Sequence, residues 1–210
     1  MTFKFDLHIH SGYSKDSRME VKKIIEIAKS IGLSGIAITD HNSAEGGFHG
    51  RKIEGDDFTV IQGEEVLTSR GEVLCLFLND EIKTREFYEV VDEVHSQDGL
   101  CIAPHPFDFF RINRLKGIEK LYKNLDGIEV FNARCVFESC NIKALEFALE
   151  KKMFMTGGSD AHTYGEIGSA GVAVKDIEDI RKGKTEIFGN ASGFFKLVKT
   201  KIYKSFGIEV

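Results

Sequence analysis

"FKFDLHIHSGYSKDS", residues 3–17, begins as a strand with two chemistries. Successive side chains of an extended strand point to opposite faces, so Asp6, His8 and His10 are expected on one face and Phe3, Phe5, Leu7 and Ile9 on the other. Such a strand can pack its apolar side against helices while aiming two imidazoles at a common point. What meets them there depends on the rest of the chain.

Further apolar, β-rich runs follow at 35–39, 58–61, 72–78, 100–103, 127–131 and 153–156, which with 3–10 makes seven expected strands. Between them lie helical patterns. "RMEVKKIIEIAKSIG" puts Val21, Ile24, Ile25, Ala28 and Ile31 on one stripe and ends in Gly32, a C-terminal glycine. "TREFYEVVDEVHSQDG" repeats the period with Phe87, Val90, Val91 and Val94 after a Thr84 cap, and "NIKALEFALEKK" with Ile142, Leu145, Phe147 and Leu149. Strands alternating with helices predict an α/β fold of repeated βα units with parallel strands. The 210 residues fit one domain, and with only 2 prolines and no Ser/Gly/Pro tract the chain has no linker.

In a barrel of βα units the working residues come from the C-terminal ends of the strands. Five of the seven histidines fall there: His8 and His10 end the first strand, His41 follows "GIAIT", His105 follows "LCIAP", and His162 follows "FMTGGSDA". His95 falls inside a helix and His49 in a Gly-rich loop, so neither is a candidate. Acidic residues keep the same company: Asp16 after the opening motif, Asp40 beside His41, Glu64 and Glu65 after "FTVIQG", and Asp160 two residues before His162. The Gly-x-Glu spacing favours Glu65 over Glu64. One histidine at a strand end is commonly structural, but this many imidazoles and carboxylates at one mouth would be costly to bury without divalent cations.

The ordered pieces DLHIHS, TDHN, GEE, PHP and GGSDAH resemble the PHP (polymerase and histidinol phosphatase) family, over roughly residues 3 to 190. The resemblance implies a distorted (β/α)7 TIM-like barrel, a metal-dependent phosphoesterase, and two or three divalent ions, zinc, manganese or iron. Carried over residue by residue, it implies that His8, His10, Glu65 and Asp160 hold one ion, Glu65 and His105 a second, and Asp16, His41 and His162 a third. One departure stands out. The family often has a further histidine on the strand after the glutamate, whereas "GEVLCLFLN" offers Leu74 and Cys75, the latter a thiolate donor or an ordinary apolar strand residue.

Around such ions, Asp6 and Asp40 are expected to orient ligating imidazoles. "GIEVFNARC" places Asn132 and Arg134 at the active end, with Arg134 the first choice for a phosphate and Arg111 and Arg114 second. No residue is assigned as general acid. The expected substrate is a small phosphomonoester, such as a sugar phosphate, a nucleotide-like ester or a histidinol-phosphate-like ester. Two alternatives are a nuclease or other metal-dependent hydrolase, and a noncatalytic regulatory domain. A net charge of −5 supplies no obvious basic groove for nucleic acid. Four cysteines without a Cys-x-x-Cys pair suit reduced thiols, and no basic-then-apolar leader or span of ~18 apolar residues is seen, so a cytoplasmic protein without membrane contact is expected. "ASGFFKLVKTKIYKSFGIEV" predicts a lysine-edged helix at about 191–206 docked on the barrel. Nothing in the sequence sets the oligomeric state.

Overall fold

A computed structural model describes residues 2–189. The expected C-terminal helix therefore lies outside the described residues. In chain order the elements are β1 (Phe3–Ile9), α1 (Val21–Ser30), β2 (Gly35–Ile38), α2 (Glu45–Ile53), β3 (Thr59–Thr68), β4 (Gly71–Leu76), α3 (Phe87–His95), β5 (Leu100–Ala103), α4 (Ile118–Leu121), β6 (Gly127–Asn132), α5 (Glu138–Lys151), β7 (Phe154–Gly158), β8 (Ala170–Val174), α6 (Glu178–Arg181) and β9 (Glu186–Gly189).

The nine strands form one sheet in the order β7-β6-β5-β4-β3-β2-β1-β8-β9. All seven expected strands are present, but not all are parallel. Runs β1-β2-β3 and β5-β6-β7 are parallel, whereas β4 is antiparallel to both neighbours. The stretch at 58–61 is only the start of a ten-residue strand that turns at Ser69–Arg70 into β4. Gly71 makes that turn: its φ is +121°, and a Cβ there would lie 2.4 Å from the Arg114 carbonyl oxygen. Strands β8 and β9 add to β1 as an antiparallel edge. The barrel nearly closes where β7 runs out beside β1: Asp160 N donates to His8 O at 2.7 Å, and His10 N to Ala161 O at 2.9 Å.

β1 itself is irregular. Its register against β2 slips between Asp6 and Ile9, and the slip divides the strand's apolar residues. Phe5 and Leu7 join a cluster with Ala37, Ile61, Leu74, Leu76 and Ile102, while Ile9 joins another with Val21, Ile24, Ile25 and Ala28 of α1. The simple two-faced strand is thus corrected at its most important point.

The expected helices form, with three adjustments. Ile31, placed on the α1 stripe, lies past the helix end and is exposed, and Gly32 follows at φ +80°. Glu86, not Thr84, is the N-cap of α3; the Thr84 hydroxyl instead donates to Glu89 Oε2. On α5 the buried face is Cys140, Asn141, Ala144, Leu145 and Ala148, and of the four stripe residues only Leu145 is fully buried. Small residues bring α5 close enough for the Asn141 side chain to pair with both backbone groups of Asn132 on β6, at 3.1 Å each. His49 lies in α2, not in a loop. Among the described residues, no helix is long and apolar enough to cross a membrane.

Candidate metal centre

The five strand-end histidines converge. Ring centroids lie 5.1 Å apart for His8–His10, 5.8 Å for His8–His105, 4.4 Å for His10–His41 and 4.2 Å for His10–His162. The two histidines set aside lie elsewhere, His95 against Asp126 at 2.9 Å and His49 against Tyr13.

Glu65 sits at the centre. Its Oε1 is 3.0 Å from His105 Nε2 and 3.5 Å from His8 Nε2, and its Oε2 is 3.0 Å from His41 Nδ1 and 3.5 Å from His10 Nε2. Glu64, the alternative, accepts from the Ile82 backbone N–H and faces Arg85; burial pushes its carboxyl up to about 7. Asp160, held at φ +56°, places Oδ1 3.4 Å from His10 Nε2 and 3.8 Å from His8 Nε2. His105 is also left-handed, at φ +30°; backbone strain of this kind gathers at functional sites. Nearer solvent, Asp16 Oδ2 lies 3.4 Å from His41 Nε2 and 3.2 Å from His162 Nε2.

These residues fit divalent ions. Donors at the corners of a tetrahedron with ~2.0–2.1 Å bonds stand roughly 3.3–3.4 Å apart. His8 Nε2 and His10 Nε2 stand 3.1 Å apart, and each lies 3.4 to 3.8 Å from an oxygen of Glu65 and from Asp160 Oδ1. Glu65 Oε2 and Asp160 Oδ1 are buried without a hydrogen-bond partner, a cost that a cation removes. Electrostatics agree. Burial works against the charges of Glu65 and Asp160, yet the neighbouring imidazoles hold both carboxyls well below the usual range. Burial likewise opposes charge on His8, but Asp160, Glu129 and Glu65 hold it well above its ordinary value, and Glu65 draws His41 up to about 9. Imidazoles that must stay protonated to balance carboxylates are imidazoles that an ion can replace protons on.

The orienting partners differ from expectation. Asp6 does not touch an imidazole: it accepts the backbone N–H groups of His8 and Ser159 on Oδ1 and of Gly168 on Oδ2, and burial pushes its carboxyl up to about 6. The slip in β1 accounts for this, since it separates Asp6 from the side of the strand that carries His8. The partner of His8 is Glu129 of β6, whose Oε1 is 3.1 Å from His8 Nδ1 and leaves Nε2 free for the centre. Glu129 Oε2 accepts from His105 N and from Asn132 Nδ2, both at 2.9 Å. Asp40 does not orient His41 either. It accepts from Ser11 N, Ser11 Oγ and Ser14 Oγ, and Ser14 Oγ lies 3.2 Å from His10 Nδ1, so Asp40 reaches His10 through Ser14. Cys75 is buried in the outer cluster with Cys101 and Val73, away from the imidazoles, which settles the thiolate alternative against it.

Glu129→Gln keeps shape and removes the charge behind His8. Metal affinity should fall about 10- to 100-fold, measured by titration calorimetry; an unchanged affinity would remove Glu129 from the centre.

The cleft above the imidazoles, of about 420 Å³, is lined by Asp16, His41, Glu72, Arg111, Arg134 and His162 among others. Arg134, the first choice, contacts His162 Nδ1 and reaches within 4.0 Å of Asp160 Oδ1. Arg111 lies deeper and is ion-paired to Asp160. Burial favours its neutral form, but Asp160, Glu65 and Glu129 hold it more firmly charged than an ordinary arginine. Both guanidinium groups face the cleft; Arg114 instead donates to the Arg111 carbonyl.

The PHP domain family matches residues 6–130 of this sequence, and a PHP-associated segment matches 138–185. The chain belongs to the PHP domain family. Two uncharacterized proteins of Methanocaldococcus jannaschii are similar. One is 39% identical over 142 residues, 62% of this chain and 82% of the relative, and the other 37% over 186 residues, 83% and 71%. The fold is shared with a two-domain Bacteroides vulgatus protein described as containing a predicted PHP-like metal-dependent phosphoesterase, with a TM-score of 0.73 and 21% identity over 93% of this chain and 68% of that one. In PHP terms, the nearly closed barrel carries the imidazole cluster at the end where β1, β2, β5 and β7 finish.

Proposed function

We propose that this PHP domain is a metal-dependent hydrolase that releases phosphate from a small phosphomonoester. The observation that carries the reading is the convergence of five imidazoles with Glu65 and Asp160 under a cleft walled by Arg111 and Arg134. His8, His10, His41, His105 and His162 with Glu65 and Asp160 would hold the divalent ions, which would supply Lewis acidity toward water and phosphoryl oxygen.

The chain's own groups do the rest. Arg111 and Arg134 offer planar donors to a phosphoryl group that enters above the imidazoles. Asn132 Nδ2 donates to Asp160 Oδ2 at 3.1 Å and fixes the carboxylate that Arg111 also holds. Beside the cleft, Phe109, Phe110 and Phe137 are exposed, with ring centroids 4.9 to 6.2 Å apart. An exposed aromatic group beside an anion site suits a flat ring on the alcohol portion, which supports a nucleotide-like or imidazole-bearing ester over a sugar phosphate.

The test is phosphate release by the metal-loaded protein from sugar phosphates, nucleotides, histidinol phosphate and short oligonucleotides, with Mn²⁺ or Zn²⁺ supplied. Release from ring-bearing monoesters is the expected result. Cleavage confined to oligonucleotides selects a nuclease, and metal binding without turnover on any ester selects a regulatory domain. Arg111→Ala should lower kcat/KM about 10- to 100-fold, the worth of one charge-assisted hydrogen bond of ~1.5–3 kcal/mol. Wild-type kinetics in this variant would dismiss the arginine's role.

A further inference from the structure

Glu72 belongs to no part of the centre described so far, yet it is buried at the foot of the cleft, with a relative exposure of 5%. Its position follows from the hairpin. Glu65 pairs with Leu74, and Glu72, two residues earlier on β4, shares that residue's face. Leu74 has no donor atom, so the strand's inward contribution to the centre falls to Glu72. Glu72 Oε2 lies 4.0 Å from His105 Nε2. Donor atoms of Glu72, Glu65 and His41 also lie within 4.8 Å of one another. The charges there call for a cation: Glu65 Oε2 is buried without a hydrogen bond, 3.0 Å from His41 Nδ1, and the Glu65 and Glu72 carboxylates face each other across the gap.

We propose that Glu72 is a metal ligand, completing with Glu65 and His105 a second ion position made of two carboxylates and one imidazole. Resting on the metal-centre reading above, it names a ligand of that centre and a consequence for ion choice. Carboxylate oxygen is a hard donor, suited to Mn²⁺ and Mg²⁺, whereas imidazole suits zinc. The second position therefore favours Mn²⁺ relative to the pocket of His8 and His10.

Mn²⁺ and Zn²⁺ binding to the full chain, followed by equilibrium dialysis with metal analysis, tests this without any substrate. Glu72→Gln should lose one bound Mn²⁺ per chain, its affinity falling at least ~100-fold, with the other ions retained. Glu72→His should recover that equivalent for Zn²⁺ and shift the Zn²⁺/Mn²⁺ preference at least ~10-fold toward zinc. If Glu72→Gln does not fold, Glu72→His decides by itself, since it keeps a donor. Wild-type stoichiometry and preference in whichever variants fold would overturn the proposal. A wild-type chain that binds ions but releases no phosphate from any ester overturns the phosphomonoesterase reading alone and leaves Glu72 standing.

Discussion

Glu65→Gln should all but abolish the bound ions and with them hydrolysis, lowering kcat/KM by 10³-fold or more. One carboxylate here faces four imidazoles, from His8 on β1, His10 just after it, His41 after β2 and His105 after β5, at 3.0 to 3.5 Å. The amide keeps the volume and one acceptor but places an N–H₂ against rings that need an anion. A thousandfold loss corresponds to about 4 kcal/mol of transition-state stabilisation, which is within what metal-derived charge supplies. The metal-free protein should respond too. Removing one member of a buried ion pair costs roughly 3–5 kcal/mol, and the cost carries a pH signature. Glu65 is held well below its ordinary 4.5, so its contribution is complete above 4.5 and fades as pH falls through the lowered value. His8 is held well above its ordinary 6.5, so its contribution is complete below 6.5 and fades as pH rises through the raised value. The wild-type advantage in chelator should therefore be greatest between 4.5 and 6.5 and shrink on both sides, read from Tm against pH. A variant with wild-type metal content and turnover would remove Glu65 from the centre of the site.

What the sequence disclosed and what it withheld follow one physical divide. The five histidines were legible because parallel strands present their C-terminal residues at one end of a barrel, and each lies at such an end. Glu72 was illegible by the same rule. It starts a strand that runs the opposite way, so its N-terminal end is the one at the mouth. The signal was the short "TSRG" turn between two β-rich runs, which makes a hairpin and reverses the direction. Glu129 had a signal as well: a carboxylate inside "GIEVF", an otherwise apolar strand, needs a partner, and His8 is that partner. Helix α2 gave none, because "EGGFHG" is poor in helix formers. Its glycines are there for space. A Cβ on Gly47 would lie 2.9 Å from Gln62 Cα, and one on Gly50 2.8 Å from Val60, so the helix is held by its close fit to β3 and not by propensity. Asp6 shows the limit of periodicity, since one slipped residue in β1 changes which side chains share a face.

The seam that closes the barrel is where a single methyl group should do most harm. Gly158 ends β7 against β1, and a Cβ on it would lie 2.4 Å from His8 Cβ, 2.9 Å from His8 N and 3.0 Å from Glu129 Oε1. None of these can yield cheaply. His8 is fully buried, its backbone is bonded to Asp160 N, and Glu129 is fixed by His8, His105 and Asn132. Gly158→Ala must therefore push β7 from β1, loosening the Asp160 N–His8 O bond and the Ser159 N–Asp6 Oδ1 bond, which are 2.7 and 2.9 Å long. Overpacking of ~1–3 kcal/mol plus about 1 kcal/mol for each weakened hydrogen bond sums to roughly 3–5 kcal/mol. For a chain of this size that is a fall in Tm on the order of 10 °C. Metal affinity should drop as well, since the same displacement moves Asp160 away from His8 and His10. Gly165→Ala is the control, because nothing lies within 4 Å of the Cβ it would add. That variant should match the wild type or gain a little stability from a less flexible unfolded chain. Equal unfolding temperatures and equal metal content in the two variants would show that the seam tolerates displacement, and that the imidazole cluster does not depend on barrel closure for its geometry.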